Sequence, residues 1–338
     1  MNSAPKLLDS AHTRQLLART LVGTGLELGP GESPFPLTLG GATARYVDRW
    51  STEDNARLFR EVEATRFSEP NFLVDLNKDR LSAFDDESQD FVIASHILEH
   101  LVEPLGQLAD IHRVLRPGGT LLIFLPDRRH TFDRARQPTP LQHLVDEYDQ
   151  GVTELDEAHL DEFIQNVPED WGDAAPPRDR AEQLDRHRQR SIHVHCWSED
   201  EFAEVLAHQI RHMGLGWELI DRLGVDDVAD GIEFGIALRR PTVPLPAEVA
   251  ATRFEQVWAG LTARTDAVRS VSEQLIKLHD ELDEAQDSLR KETQEKRRLA
   301  GLLDAAQTTL ASHERVLGPL RKTGVMALLR RAAARVRR

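Results

Sequence analysis

The chain has 338 residues, 40% of them hydrophobic, which is enough for a large buried core. Its 42 Lys and Arg against 57 Asp and Glu give a formal net charge of −15 at pH 7, which disfavours a protein that coats nucleic acid. The single cysteine, Cys196, excludes an internal disulfide, and no apolar run approaches the roughly 18 residues of a membrane span.

Five short apolar runs in the N-terminal part of the chain predict β-strands. The first leads into the tight turn Gly29-Pro30-Gly31. The five runs are 21–28, 44–47, 71–74, 91–94 and 120–125, and helical patterns occupy 53–64 and 105–115 between them. Because strands alternate with helices, the predicted fold class is α/β, with a doubly wound, mostly parallel sheet.

A long polar stretch, 127–197, interrupts this alternation. It holds many charges and five prolines and is too long for an ordinary connection, so we predict an inserted cap. Ser198 and Glu201 then form a predicted capping box for a helix that reaches His212. Strand patterns over 217–220 and 232–238 complete a seven-strand sheet, so the catalytic domain is expected to span 1–240.

Prolines at 241, 244 and 246 predict a linker over 241–256. A coiled coil is predicted over 257–317, because apolar residues there keep a seven-residue register. Its main seam consists of Leu261, Val268, Leu275, Leu282, Leu289, Leu303, Leu310 and Leu317. Such a seam favours a homo-oligomer, and the alternative is a long helix folded back on the domain.

The last segment, 318–338, carries seven Arg and Lys and no acid beside an apolar stripe. This pattern is typical of an amphipathic helix on an anionic membrane surface, and a solvated basic end is the alternative. The N-terminal segment lacks the apolar core of a signal peptide. The expected location is therefore the cytoplasm, peripheral to the inner face of the cell membrane.

The glycine turn and an acid on the next strand point to a nucleoside ligand. Glycines let the backbone pass close to a ligand, and Asp48, at the end of the second strand, can accept hydrogen bonds from two ribose hydroxyls. Pro34 takes the place of the third glycine of G-x-G-x-x-G, so no pyrophosphate cradle is expected.

Three further motifs follow the turn Glu27-Leu28-Gly29-Pro30-Gly31. They are Asp90-Phe91-Val92, Leu98-Glu99-His100 and Arg116-Pro117-Gly118-Gly119. With these four motifs in order, residues 21–127 resemble the class I, seven-strand, Rossmann-like S-adenosylmethionine-dependent methyltransferases. The resemblance implies a methyltransferase enzyme (EC 2.1.1) whose cofactor is S-adenosyl-L-methionine.

The resemblance also implies roles for particular residues. Gly29 and Gly31 would pass beneath the methionine part of the cofactor, Glu27 would orient it and Asp48 would bind the ribose. Around the rest of the cofactor, the resemblance places Asp75 and Leu76 beside the adenine and Ser95 and His96 beside the methyl donor.

Transfer to a hydroxyl requires removal of a proton. His96 is the candidate general base, with a packed polar residue as its alternative, whereas His100 matches a family position that is often not catalytic. Asp127 and His130 follow the fifth strand, where an α/β sheet opens its ligand crevice, and are further catalytic candidates.

His193 and His195 alternate on an extended segment and, with His187, are possible metal ligands. No further residue stands at diagnostic spacing, so no metal site is predicted, and substrate contact or hydrogen bonding is preferred.

Segments 127–133 and 193–197 loosely resemble bacterial methyltransferases associated with cell-surface glycan assembly. The preferred acceptor is therefore a sugar hydroxyl of a cell-envelope glycan or glycolipid, and no nucleic-acid partner is expected. The alternatives are a small-metabolite methyltransferase and a non-catalytic, methyltransferase-like scaffold for the coiled coil.

Overall fold

A computed structural model of the chain describes residues 10–37, 41–167, 179–227 and 231–316. Seven strands form one sheet in the order β3-β2-β1-β4-β5-β7-β6. They are β1 (Thr24–Leu28), β2 (Thr43–Asp48), β3 (Phe72–Leu73), β4 (Gln89–Ser95), β5 (Leu115–Pro126), β6 (Glu218–Leu223) and β7 (Glu233–Arg239). Only β7 runs antiparallel to its neighbours, β5 and β6. This sheet confirms the predicted α/β fold class.

The sequences of the central strands are apolar runs because helices cover both faces of the sheet. Successive residues of a strand point to opposite faces, so Val92 and Ala94 join one core whereas Phe91 and Ile93 join another. The first core also contains Ile111 of helix α3 (Pro104–Val114). Helix α1 (Ser10–Ala18) packs into the second core. The sheet is thus the middle layer of three.

Two other helices of the domain compare directly with their predictions. Helix α7 (Glu199–His212) begins with the predicted capping box, in which the Glu201 carboxylate accepts a hydrogen bond from the Ser198 backbone N–H at 2.6 Å. Helix α2 (Thr52–Leu58) is shorter than predicted. Residues 60–66 are mostly exposed, so little packing is available to extend it.

The described residues of the stretch 127–197 form three α-helices: α4 (Leu141–Gln150), α5 (Glu157–Asn166) and α6 (Arg180–Arg190). Residues 168–178 of this stretch lie outside the described residues. Helices α5 and α6 share a small apolar cluster that includes Leu160, Phe163 and Leu184, whereas α4 packs into the main core through Leu144. Arg136 is buried beneath them and donates to Asp133 at 2.8 Å and to the carbonyl of His193 at 2.7 Å. A buried charge with these partners ties the two ends of the stretch together.

The long helix α8 (Ala247–Val316) begins inside the stretch predicted as a linker, 241–256. Ala250, Phe254 and Trp258 recur every four residues and are buried in the main core. The three prolines therefore all precede the helix. The first turns of α8 belong to the compact unit Met1–Arg269. This corrects the predicted extent of the linker.

The second compact unit is Ser270–Arg338, of which the described part is helical. Seam residues Leu282 and Leu289 are exposed along it. The predicted basic tail, 318–338, lies outside the described residues. Among the described helices, none combines the length and apolar character needed to cross a membrane.

Candidate functional site

A cavity of about 350 Å³ opens at the carboxyl ends of the parallel strands, where α/β sheets bind their ligands. Its floor is formed by residues that directly follow β1, β2, β3 and β4. The end of α6 supplies another side of the cavity, through Gln189, Arg190 and Ser191. Among the predicted site residues, those that line it are Gly29, Gly31, Asp48, Asp75, Leu76 and His96.

The glycine turn after β1 presents bare backbone to this cavity. Gly29 and Gly31 have φ angles of +59° and +50°, a left-handed conformation that side chains disfavour. A Cβ on Gly29 would lie 2.7 Å from Ile97 Cδ1, whereas a Cβ on Gly31 would meet nothing within 4 Å. Gly31 therefore faces open space, which leaves room for a ligand to lie on the backbone.

Asp48 ends β2 and lines the cavity. Its Oδ1 accepts a hydrogen bond from the Trp50 N–H at 3.0 Å. Burial raises the pKa of Asp48, and hydrogen bonds from the surrounding backbone and from Asn55 oppose that rise. The carboxylate is thus fixed in place at the position expected to bind a ribose.

The other side of the glycine turn combines a carboxylate with apolar surface. Asp75 follows β3, lies 3.3 Å from Arg49 and lines the cavity with Leu76. Trp50 and Phe67 add ring surface nearby. A flat heterocycle such as adenine would find both apolar contact and a hydrogen-bond acceptor there.

Glu27 and Ser95 do not line the cavity. The buried Glu27 carboxylate accepts a hydrogen bond from the Phe35 N–H at 2.7 Å, and burial raises its pKa to about 7. It therefore holds the segment that follows the glycine turn. Ser95 is the last residue of β4 and pairs with Phe124 in the sheet.

His96 lies between two carboxylates. Its Nε2 is 2.6 Å from Glu233 Oε2, its Nδ1 is 3.5 Å from Glu99 Oε1, and its φ is +52°. Although burial opposes it, hydrogen bonds and charge attraction from both carboxylates raise the pKa of His96 to about 9. A histidine that is positively charged at neutral pH does not accept a proton, so this geometry disfavours His96 as the general base.

His100 has the opposite character. It lines the same cavity, and its Nδ1 donates to the carbonyl of Ile192 at 2.8 Å. Burial lowers the pKa of His100 to about 4, so the ring is neutral at physiological pH. With Nδ1 carrying the hydrogen, Nε2 retains its lone pair.

Asp127 and His130 are not brought to the cavity. Asp127 is fully buried, and its carboxylate pairs with Arg129 at 2.7 Å while its N–H bonds to Ile232. His130 is exposed at the end of a short 3₁₀ helix. Neither residue lines the cavity, and Asp127 instead forms an isolated β-bridge with Trp197.

Sequence reasoning missed two contributors to the site. Glu233 opens β7 and reaches His96 because β7 pairs with β5, with Glu233 opposite Pro126. The α6 end, Gln189 to Ser191, follows no recognisable motif. No regular sequence pattern marks either of them, and folding brings the α6 end to the cavity and Glu233 to His96.

Residues 26–123 match the family model described as a methyltransferase domain. This match places a methyltransferase domain in the N-terminal half of the chain. The protein is a methyltransferase, and its cofactor is S-adenosylmethionine. A search of curated proteins found no match.

Solved structures similar to this chain include the putative methyltransferase of Haloferax volcanii in complex with the Trm112 activator (15% identity, 68% of this chain and 89% of that chain, TM-score 0.38). Another is a possible histamine N-methyltransferase from Thermotoga maritima (16% identity, 68% and 89%, TM-score 0.35). A third is 1,6-didemethyltoxoflavin-N1-methyltransferase from Burkholderia thailandensis (16% identity, 69% and 79%, TM-score 0.38).

The cavity fits this cofactor. Gly31 leaves space over the backbone, Asp48 offers a carboxylate to ribose hydroxyls, and Asp75 with Leu76 borders the space for the base.

Proposed function

We propose that this enzyme methylates a hydroxyl group of a sugar in a cell-envelope glycan or glycolipid. The observation that carries the proposal is the polar border of the cavity beyond the cofactor-binding residues. His100, Gln189 and Ser191 line that border, and the Ser191 hydroxyl lies 3.4 Å from His100 Nδ1. Amide and hydroxyl groups of this kind suit the hydroxyls of a sugar.

His96, Glu99 and His100, which follow β4, have different roles in the proposed methyl transfer. When bound, S-adenosylmethionine supplies a methyl carbon on a positively charged sulfur, which an oxygen nucleophile attacks in line. His100 is neutral and accepts the proton that the acceptor hydroxyl loses. Glu99 is fully buried beside it and stabilises the imidazolium that forms, while His96 keeps its charge and holds the Glu99 and Glu233 carboxylates in place.

The test measures methyl transfer by the purified full chain to a panel of envelope oligosaccharides and nucleotide sugars, with detection of one added methyl by mass spectrometry. His100→Gln should lower kcat by at least about 100-fold and leave the Kd for S-adenosylmethionine unchanged. The control His208→Gln, which changes a partly buried histidine of α7 that does not line the cavity, should retain full activity. Methylation of non-sugar metabolites alone would overturn the sugar assignment, and cofactor binding without any transfer would favour the scaffold alternative.

We further propose that the heptad seam of 257–317 joins copies of the chain into a homo-oligomer, and that the basic segment 318–338 binds an anionic membrane surface. Exposed leucines along the described part of the seam support the first proposal. The second rests on the sequence pattern of seven positive charges beside apolar residues. Two basic ends on one dimer would bind a membrane far better than one.

A further inference from the structure

A second group of chemically active side chains lies within the stretch 127–197, apart from the residues that line the cofactor cavity. His143 and Glu147 stand one turn apart on α4, His159 is on α5, and His195 is on the extended segment that leads to α7. One donor atom of each of the four residues lies within 4.8 Å of the others. Glu147 and His195 are buried, and the other two are partly buried.

Four contacts between these donor atoms are close to the length expected between ligands of one metal ion, and all the donor atoms lie within 4.8 Å of one another. Glu147 Oε1 lies 3.2 Å from both His143 Nε2 and His159 Nε2, and these two nitrogens are 3.0 Å apart. His195 Nε2 lies 3.4 Å from Glu147 Oε2. Ligands about 2.0–2.1 Å from a tetrahedral zinc ion are separated by about 3.3 Å, so the observed distances bracket the edge of that tetrahedron.

The hydrogen bonds around Glu147 and His159 leave electron pairs directed toward the group, whereas His195 Nε2 also lies 3.4 Å from the carbonyl oxygen of Val102. Both carboxylate oxygens of Glu147 are buried and accept no hydrogen bond from the described residues. His159 Nδ1 donates to Asp156 Oδ1 at 2.8 Å, so the lone pair of His159 is on Nε2, which faces Glu147. A carboxylate that holds the far nitrogen of a histidine is the usual support of a metal ligand.

We propose that His143, Glu147, His159 and His195 bind one divalent transition-metal ion, with zinc as the favoured metal. Imidazole and carboxylate ligands suit zinc better than magnesium or calcium, which prefer oxygen alone. Four protein ligands complete a tetrahedral shell, so the site is closed and its role is structural.

The ion would join α4 and α5 to the segment that contains His195. That segment also contacts the catalytic domain, because the backbone N–H groups of Val194 and His195 both donate to the carbonyl of Glu99, at 2.7 and 3.1 Å. Glu99 stands between His96 and His100 on the loop that borders the cofactor cavity. The metal would therefore fix the cap against this loop.

Of the three histidines that the sequence analysis considered as metal ligands, only His195 belongs to this site. His193 binds Asp133 at 2.6 Å, and His187 packs against Phe163, so neither joins His195 at the site. A sequence signal was nevertheless present, since His143 and Glu147 have the i, i+4 spacing that places two ligands on one face of a helix.

The first test measures metal content. The purified full chain is stripped with a chelator, reloaded with zinc chloride, desalted and analysed by plasma mass spectrometry. Wild type should retain about one zinc ion per chain. His159→Gln and Glu147→Gln should each bind zinc at least about 100-fold more weakly, whereas the exposed-histidine control His130→Gln should match wild type. Wild type without retained zinc, or variants that retain as much as wild type, would overturn the proposal.

The second test needs no variant. Cobalt(II) added to the stripped wild type should produce the visible absorption of a tetrahedral ion, saturate at about one equivalent and disappear when zinc is added. Absence of that absorption, with circular dichroism showing the chain folded, would overturn the site. Neither readout depends on methyl transfer, so failure of the metal site and failure of the proposed function are separable.

Discussion

Asp48 and His96 flank the glycine turn from the two strands on either side of β1, and they differ in how their charge is held. The Asp48 carboxylate is fixed by backbone N–H groups. The His96 imidazolium is held by Glu99 and Glu233. The fixed Asp48 carboxylate suits recognition of a neutral ribose. At His96, the positive imidazolium balances the negative charges of the two carboxylates.

Replacement of Asp48 tests the assignment of the cofactor cavity. Asp48→Ala removes the acceptor for ribose hydroxyls, and hydrogen bonds to a charged group contribute about 1.5–3 kcal/mol each. We expect the Kd for S-adenosylmethionine to rise at least about tenfold in calorimetric titration of the full chain. Asp85→Ala, which removes an exposed carboxylate outside the cavity, is the matched control and should bind as wild type does. Equal affinity for all three proteins would refute the assignment.

The charge on His96 makes its contribution to stability depend on pH. Its pKa is raised from 6.5 to about 9 in the folded chain, so the ion pairs stabilise fully below about pH 6.5 and their effect is lost as pH rises through 9. Urea unfolding of wild type and His96→Gln should therefore differ by more than about 1 kcal/mol near pH 6 and converge near pH 10. A difference that stays constant across this range would show that the imidazole is not charged.

At the scale of elements, α8 has two parts of different character. Its first turns bury Phe254 and Trp258, and the Trp258 Nε1–H donates to Asp200 on α7 at 3.2 Å. Beyond Arg269 the helix exposes leucines such as Leu282, Leu289 and Leu302. The same helix thus completes the domain core and then continues as a separate unit.

This division predicts where the domain ends. Trp258→Ala should lower the free energy of unfolding by about 3 kcal/mol, because a large buried side chain is lost from the core. Val249→Ala, on the same helix but exposed, should change it by less than about 0.5 kcal/mol. Urea denaturation measures both changes in unfolding free energy. A small effect of Trp258→Ala would show that the first turns of α8 belong to the predicted linker and not to the domain core.

At the scale of the whole molecule, the seam of α8 bears on assembly. If it forms a coiled coil, light scattering after size exclusion should give about twice the chain mass of 38.2 kDa. Replacement of both Leu282 and Leu289 by Gln should restore the monomer mass, because both lie on the seam. Leu302→Gln alters an equally exposed leucine off the seam and should leave the mass unchanged. A monomeric wild type would show that the seam does not join copies of the chain.

Local patterns in the sequence determined most of the framework. The apolar runs predicted all seven strands, most clearly β4, β5 and β7, because strands covered on both faces are continuously apolar. Ser198 and Glu201 fixed the start of α7, and the glycine turn with Asp48 fixed the cofactor end of the cavity. Each of these signals is carried by residues close together in the chain.

Tertiary structure alone decided the charge states and the groupings of distant residues. His96 resembled a general base until β7 brought Glu233 to it from 137 residues away. His195 met His143, Glu147 and His159 only through the packing of α4 and α5. The physical reason is that the pKa of a side chain and its capacity to bind a metal depend on what lies within a few ångströms, and folding, rather than sequence spacing, selects those neighbours.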